Sequence, residues 1–385
     1  MKIAHLTSVH PALDVRILYK EAVTLAAAGH EVVLVAPASG DTTVQGVRIR
    51  AVAAGASRLR RMTTTVMAVL RAALAERADV YHFHDPELIP VGLCLKLMGK
   101  RVVYDVHEDL PAQILSKYWI RPWLRHVTAR AAAGLEAFAA RVFDGIIVAN
   151  PPHLRRFPRS KAEVVRNVPI LEEFVDGSSV PYATRQPAVV YVGGLTRTRG
   201  AKEMVRAIGL LPEGSGARLL LAGRFIEPGL EQECRALPGW SRVDFRGWQS
   251  RREVAGLLHA ARVGLVLLHP TVQYRTPYPV KLLEYMAAGL PIVASDLPPS
   301  RELLEDAGCG FLVDPFDSAA VAEAIGWLFD HPDEAEQMGR RGRQAILDRY
   351  NWTGEGQKLV RYYERFQKRD DEGSRPAAVQ ARRTR

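Results

Sequence analysis

Pro187-Ala188-Val189-Val190-Tyr191-Val192-Gly193-Gly194 decides the fold. A short β-branched and aromatic run, opened by proline and closed by two glycines, reads as a buried strand running into a turn that something must approach closely. It lies near the middle of 385 residues, where an alternation of short apolar runs and longer amphipathic stretches begins a second time. Before it, strands are expected near 2–7, 31–36, 47–53, 79–84, 101–106, 144–149 and 163–167, with helices near 14–28, 62–77, 86–98 and 122–140. After it, strands are expected near 188–193, 217–222, 242–246, 263–268, 291–295 and 310–313. Helices near 200–211, 250–259, 279–288, 299–306 and 317–330 separate them, and two more near 333–347 and 353–367 close the pattern. Such alternation is the sequence form of a parallel sheet covered by helices on both faces. The expected fold is therefore α/β, with two Rossmann-like doubly wound domains facing across a cleft.

The first domain is expected over 1–175 and the second over 176–350, joined where Gly177-Ser178-Ser179-Val180-Pro181 and Gln186-Pro187 break the periodicity. A helix at 351–367 is expected to cross back to the first domain, leaving 368–385 as a disordered basic tail. Composition excludes other classes: 48% hydrophobic and 24% charged, with Gly and Pro spread along the chain, is neither disordered nor collagenous. The longest apolar runs stop at Lys96 and at His269-Pro270, short of the about 20 residues a spanning helix needs. Met1-Lys2-Ile3-Ala4-His5-Leu6-Thr7 has no signal-peptide character, so a cytoplasmic location is expected. Cys94, Cys234 and Cys309 are far apart with no C-x-x-C pair, which argues against a disulfide framework or structural zinc. The net charge of +10 is uneven: residues 1–175 hold 23 Lys and Arg against 16 Asp and Glu. A basic half suits an anionic partner: a phosphorylated substrate, an anionic lipid or a nucleic acid.

In open parallel sheets, ligands bind beyond the carboxyl ends of the strands. Pro279-Val280-Lys281-Leu282-Leu283-Glu284-Tyr285-Met286-Ala287-Ala288-Gly289 reads as a helix with Pro279 at its first position and Gly289 at its C-terminal cap. Its first backbone N–H groups form an anion site with Lys281 beside it, and Glu284 lies on the same face. Glu284 falls about 7–8 Å from the helix start at the usual rise, a span that lets one end hold phosphate and the carboxylate accept from sugar hydroxyls. A nucleotide diphosphate fits that spacing. The turn Gly193-Gly194-Leu195-Thr196-Arg197-Thr198-Arg199-Gly200 offers two glycines for close approach and two arginines for phosphate oxygens. It is not a Walker A loop, and no G-x-G-x-x-G follows the first strand.

In the first half, Tyr81-His82-Phe83-His84-Asp85-Pro86-Glu87 and Tyr104-Asp105-Val106-His107-Glu108-Asp109 place polar clusters at two strand ends. His82 and His84 share a strand face, and with Asp85 and His107 they are compatible with a metal-dependent hydrolase, the alternative reading. Asp85, Glu108, Arg16 and Lys20 lie near strand ends or the first helix start, placed to meet an acceptor or a diphosphate, and Asp14 is a natural N-cap. Arg58-Leu59-Arg60-Arg61 and the stretch 117–130, with Trp119 and Trp123 among its basic residues, suit peripheral contact with an anionic membrane. No nucleic-acid-binding motif is present, and nucleic acid is not an expected partner.

Lys281 through Ser295, the Gly193-Gly194 turn and Gly29-His30-Glu31-Val32 after the first helix resemble the retaining, nucleotide-sugar-dependent glycosyltransferases of family 4, over about residues 1–367. The Lys-Leu-Leu-Glu-Tyr-Met-Ala-Ala-Gly-Leu-Pro-Ile-Val-Ala-Ser block is its most specific part. The resemblance implies a GT-B fold and transfer of a sugar from a nucleotide diphosphate sugar, UDP-linked in the first instance, to a hydroxyl in glycan, polysaccharide or glycolipid assembly. It implies that Glu284 binds the donor ribose, and that Gly193, Gly194, Arg197, Arg199 and Lys281 hold the diphosphate, Arg199 matching the family's turn lysine. It implies that His107 stands beside the transferred sugar. The family's frequent second Glu, eight positions before Glu284, is Thr276 here, and its frequent turn Arg is Gly194; Lys281 or Arg197 would supply that charge. No Asp-x-Asp pair occurs, so no cofactor and no metal on the diphosphate is expected, as the family's metal independence also implies.

Overall fold

A computed structural model of the chain describes residues 1–107, 109–116, 120–174 and 181–373. The chain divides into two units, one of residues 1–167 together with the C-terminal helix from Thr353, the other Val168–Trp352. The first break falls eight residues before the expected boundary at 175/176. Residues 175–180, which carry the Gly-Ser stretch, lie outside the described residues.

The first unit holds β1 (Lys2–Leu6), β2 (Glu31–Pro37), β3 (Thr42–Val44), β4 (Val47–Val52), β5 (Val80–Phe83), β6 (Arg101–Val106), β7 (Gly145–Val148) and β8 (Ala162–Val164). They form one sheet in the order β3-β4-β2-β1-β5-β6-β7-β8, parallel except for the pair β3 and β4. The parallel strands are short β-branched runs buried along almost their whole length, as a sheet covered on both faces requires. The β3–β4 hairpin is absent from the sequence reading. Gln45 and Gly46, both with positive φ, make its two-residue turn, and Thr42-Thr43-Val44 is too short and polar to read as a core strand.

The second unit holds β9 (Ala188–Val192), β10 (Arg218–Ala222), β11 (Val243–Gly247), β12 (Val263–Val266), β13 (Ile292–Ser295) and β14 (Gly310–Val313). Their order is β11-β10-β9-β12-β13-β14, all parallel. Each sheet therefore reverses its winding once, between β1 and β5 in the first unit and between β9 and β12 in the second. At such a point the connections leave in opposite directions and open a crevice at the strand ends.

The last helix, Trp352–Gly373, runs six residues past the expected end at 367, because no Gly or Pro interrupts the chain between Gly356 and Gly373. It belongs to the first unit. The Tyr362 hydroxyl accepts from the backbone N–H of Ile146 at 2.9 Å and donates to the Lys161 carbonyl at 2.6 Å, while Arg166 Nε donates to Glu355 at 2.8 Å.

Candidate active site

The second unit's candidate site is built on β9. Its last residue passes into Gly193, whose φ of 132° favours glycine and where a Cβ would land on the Lys281 side chain. Gly223, after the neighbouring β10, is constrained likewise: a Cβ there would strike the Gly193 carbonyl. The turn then tightens, with Thr196 Oγ1 accepting from the Arg199 N–H at 3.2 Å. Arg199 folds back over it, donating from Nη1 to the Gly194 carbonyl at 3.2 Å and from Nε to the Tyr274 hydroxyl at 3.4 Å.

The helix after β12 is Val280–Ala287, so Pro279 is its N-cap and not its first residue as expected. Gly289, with φ of 69°, donates to the Met286 carbonyl at 2.9 Å and ends it. The helix is fastened to β9 by the Tyr285 hydroxyl, which accepts from the Val192 N–H at 2.9 Å. That bond brings Lys281 beside Gly193, with Nζ 5.6 Å from the Tyr191 ring centroid. Burial and the nearby Arg199 charge depress the Lys281 ammonium to about 8. Among the described residues neither Lys281 nor Arg199 has a carboxylate ion pair. Two cations side by side, with the charge of Glu284 felt at Lys281 but no carboxylate in an ion pair with either among the described residues, are an arrangement able to take an anion.

Arg197 does something else. Its guanidinium pairs with Glu233, at 2.6 Å from Nη1, and lies 3.2 Å from Glu227, so its charge is already matched by carboxylates. Expected to hold diphosphate, Arg197 here anchors the turn through these carboxylates. Thr276 is exposed in the loop before the helix.

The first unit's polar cluster gathers at the β1–β5 switch point. His5 on β1 pairs in register with His82 on β5, and the two rings lie 4.6 Å apart, with His84 4.6 Å beyond His82. Asp105, at the end of β6, is the buried hub. Its Oδ2 lies 2.8 Å from His107 Nε2 and 3.1 Å from His84 Nδ1, and accepts from Arg16 Nε at 3.1 Å; Oδ1 accepts from Arg16 Nη2 at 3.0 Å. Burial would raise this carboxyl, but Arg16 and the two histidines hold it well below the usual range. Glu21, also buried and close to Asp105, is driven well above the usual range by that burial and that neighbour, so the pair carries one proton between its two carboxyls. His5, His82 and His84 are kept neutral, chiefly by burial.

Several expected site residues are consumed within this network. Arg16 is buried, and its third contact is the Val165 carbonyl at 3.1 Å. Lys20 is buried with Nζ on Asn167 Oδ1 at 2.7 Å. Asp85 Oδ2 accepts from Thr7 Oγ1 at 2.7 Å and from the N–H groups of Ser8 and Val9 at 2.6 and 3.1 Å, pinning the loop after β1. Asp14 is the N-cap, accepting from Arg16 and Ile17 N–H at 2.9 and 3.0 Å. Of the first-half candidates, His107 stays partly exposed, 5.5 Å from the ring of His10, and Glu108 lies outside the described residues.

His10, Asp105, His5 and Glu21 were not singled out from sequence as site residues. Asp105 was findable, since it sits two before His107 and shares its strand face. The hydrolase constellation does not assemble as expected. Among the described residues, the groups close enough to share an ion are His5, Glu21, His82 and His84, and separately His84, Asp105 and His107; Asp85 is in neither.

Two parallel-sheet units in tandem, each with a switch point, are the architecture of the GT-B glycosyltransferases. Comparison with known proteins agrees. Residues 15–167 match the model described as Glycosyltransferase Family 4, and residues 178–345 the model of glycosyl transferases group 1. A phosphatidyl-myo-inositol mannosyltransferase of Mycobacterium leprae is 25% identical over 364 residues, covering 88% of this chain and 89% of that protein. Among solved structures, sucrose-phosphate synthase from Thermosynechococcus elongatus superposes with a TM-score of 0.75 at 22% identity, covering 95% of this chain and 98% of the other. Anabaena HepE in complex with UDP-glucose superposes with a TM-score of 0.71 at 17% identity, covering 94% and 99%. The chain belongs to the family 4 glycosyltransferases and is a transferase.

Proposed function

We propose that this glycosyltransferase takes a sugar from a nucleotide diphosphate sugar, UDP-linked, and passes it to a hydroxyl acceptor with retention of configuration, in assembly of a glycan, polysaccharide or glycolipid. The observation that carries the donor assignment is the unpaired cation couple of Arg199 and Lys281 at the Gly193-Gly194 turn. Glu284 lies one helical turn beyond Lys281, placed to accept from ribose hydroxyls. In the reaction, the bond from the anomeric carbon to the diphosphate oxygen breaks, and the acceptor oxygen bonds to that carbon on the same face. The acceptor's proton passes to the departing phosphate oxygen. Lys281, Arg199 and the first N–H groups of helix Val280–Ala287 stabilise the charge that develops on the diphosphate. His107 hydrogen-bonds the transferred sugar or the reacting groups. The sequence holds no Asp-x-Asp pair, so this charge is met by the chain's own cations without a metal.

The related mannosyltransferase acts, by its name, on a phosphatidyl-inositol, and HepE binds UDP-glucose. HepE supports the reading of a UDP-sugar donor, and the mannosyltransferase that of an acceptor held at an anionic lipid surface. Thermal stability with UDP, GDP, ADP and UMP, each with and without a chelator, tests the donor site. A selective rise with UDP that survives chelation is expected. A rise with none of them, or a rise with UDP that is lost on chelation, would overturn the reading of a metal-independent UDP site.

A further inference from the structure

The buried contacts of Asp105 determine which nitrogen of His107 carries its proton. The carboxylate oxygen Oδ2 stands 2.8 Å from His107 Nε2. Two lone pairs that close would repel, so Nε2 must carry the hydrogen and donate it, in a charge-assisted bond. His84 Nδ1 lies 3.1 Å from the same oxygen and is a donor for the same reason, which leaves His84 Nε2 as an acceptor. His5 Nδ1, 2.9 Å from His84 Nε2, is then a donor in turn. The order of donors is thus set along His5, His84, Asp105 and His107, and Arg16 keeps the hub ionised through two hydrogen bonds. His107, when neutral, has Nδ1 as its one lone pair, and no hydrogen bond to Nδ1 is found among the described residues.

We infer that Asp105 is a positioning residue that fixes His107 as the Nε2–H tautomer, so that Nδ1 is presented as a hydrogen-bond acceptor for a hydroxyl group. The inference rests on the proposed role of His107 beside the transferred sugar, and adds its direction: the histidine receives a hydrogen from a sugar hydroxyl and does not give one. The carboxylate does here what the buried Asp does for the histidine of a Ser-His-Asp triad. The charged and titratable groups around the pair are Arg16 and Glu21 from the helix Val15–Ala22, Asp14 at its cap, His84 and Asp85 after β5, and His10 in the loop after β1. Of these, Arg16, Glu21 and His84 act on Asp105 directly, and His84 Nδ1 also lies 3.1 Å from His107 Nε2, both nitrogens turning their hydrogens to the shared Oδ2.

The test is a long-range 1H–15N spectrum of the imidazoles in the full-length, 15N-labelled protein at pH 7–8, with His107 assigned by loss of its signals in His107→Gln. Wild-type His107 is expected to show a protonated Nε2 and a bare Nδ1, and Asp105→Asn to shift the ring toward the Nδ1–H form. A wild-type ring already protonated on Nδ1 overturns the inference, and this outcome does not depend on how any variant folds. Asp105→Asn without a change of tautomer overturns it as well. His84→Gln, which loosens the cluster but leaves the Asp105–His107 bond, is expected to keep the wild-type tautomer; if it flips the ring as Asp105→Asn does, Asp105 is not the determinant. Should the tautomer behave as inferred while His107→Gln still releases UDP from UDP-glucose at the wild-type rate, the proposed role of His107 fails and the positioning by Asp105 stands.

Discussion

A lysine with no carboxylate in an ion pair with it is costly to enclose, and burial with the nearby Arg199 charge depresses the Lys281 ammonium to about 8 even with Glu284 one turn away. An unfolded lysine titrates near 10.5, so between pH 8 and 10.5 the unfolded chain holds a proton that the folded one has released. Stability from this residue therefore rises with pH across that window, and below it the cost is present in full. Lys281→Met is expected to stabilise the ligand-free protein by about 1–3 kcal/mol at pH 7, while weakening UDP about 10–100-fold. Denaturant unfolding and UDP titration check the two halves, and a variant that loses stability without losing UDP affinity would remove Lys281 from the anion site. Arg16 teaches a complementary lesson. Its type and place suggested contact with an anionic ligand, yet its ligands are Asp105, Glu21 and a carbonyl of its own unit.

That difference originates in an element. The first helix, read as an ordinary helix over 14–28, begins as a π-helix over Val15–Ala22 before continuing as α-helix over Val23–Ala27. In a π-helix, residues five apart stand over one another, and Arg16 Nε reaches Glu21 Oε1 at 2.9 Å. A 3.6-residue period puts Arg16 and Glu21 on different faces, so periodicity could not have joined them. The helix Pro122–Val142 carries another element-level consequence. Trp123, Val127, Leu135, Phe138 and Val142 are exposed along it, with Arg121, Arg130 and Arg141 also exposed. Its one acid, Glu136, is buried against the Tyr104 hydroxyl and Arg156. An exposed face both apolar and cationic suits an anionic lipid interface. Trp123→Ser with Phe138→Ser is expected to cut sedimentation with phosphatidylglycerol vesicles at least about fivefold at low salt. Retention of the wild-type bound fraction, or equal binding to neutral phosphatidylcholine vesicles, would remove this helix as a lipid contact.

At the scale of the molecule, two parallel sheets have separate cores, and the C-terminal helix is bound to the first. Leu359, Tyr362, Tyr363 and Phe366 are buried by it, and the Tyr363 hydroxyl lies 2.8 Å from His82 Nδ1. Their burial contributes about 6–10 kcal/mol, comparable with the whole stability of a domain. A chain ended at Trp352 is therefore expected to lose the first unit's calorimetric transition, or to lower it by at least about 10 °C, while the second unit's remains. A shift of equal size in both transitions would contradict separate cores.

Sequence alone determined the two-sheet architecture, because buried parallel strands are written as short β-branched runs and their helices as amphipathic ones, both local signals. It also pointed to a candidate donor site, because a turn glycine, a helix start, a lysine and a glutamate lie within a few residues of one another on two segments. Only tertiary structure decided which charges remain available there. Arg197 is matched by Glu233 and Glu227, 36 and 30 positions on, whereas Arg199 lies on Gly194 and Lys281 on Gly193, the latter because Tyr285 ties its helix to β9. The histidine network is likewise tertiary: His5, His84 and Asp105 come from three strand ends, separated by 79 and 21 positions, and sheet register brings them together. Local periodicity records which face a residue takes on its own element. Partners on other elements are set by strand order and register, and these decide which charges are spent in the core and which are kept for a ligand.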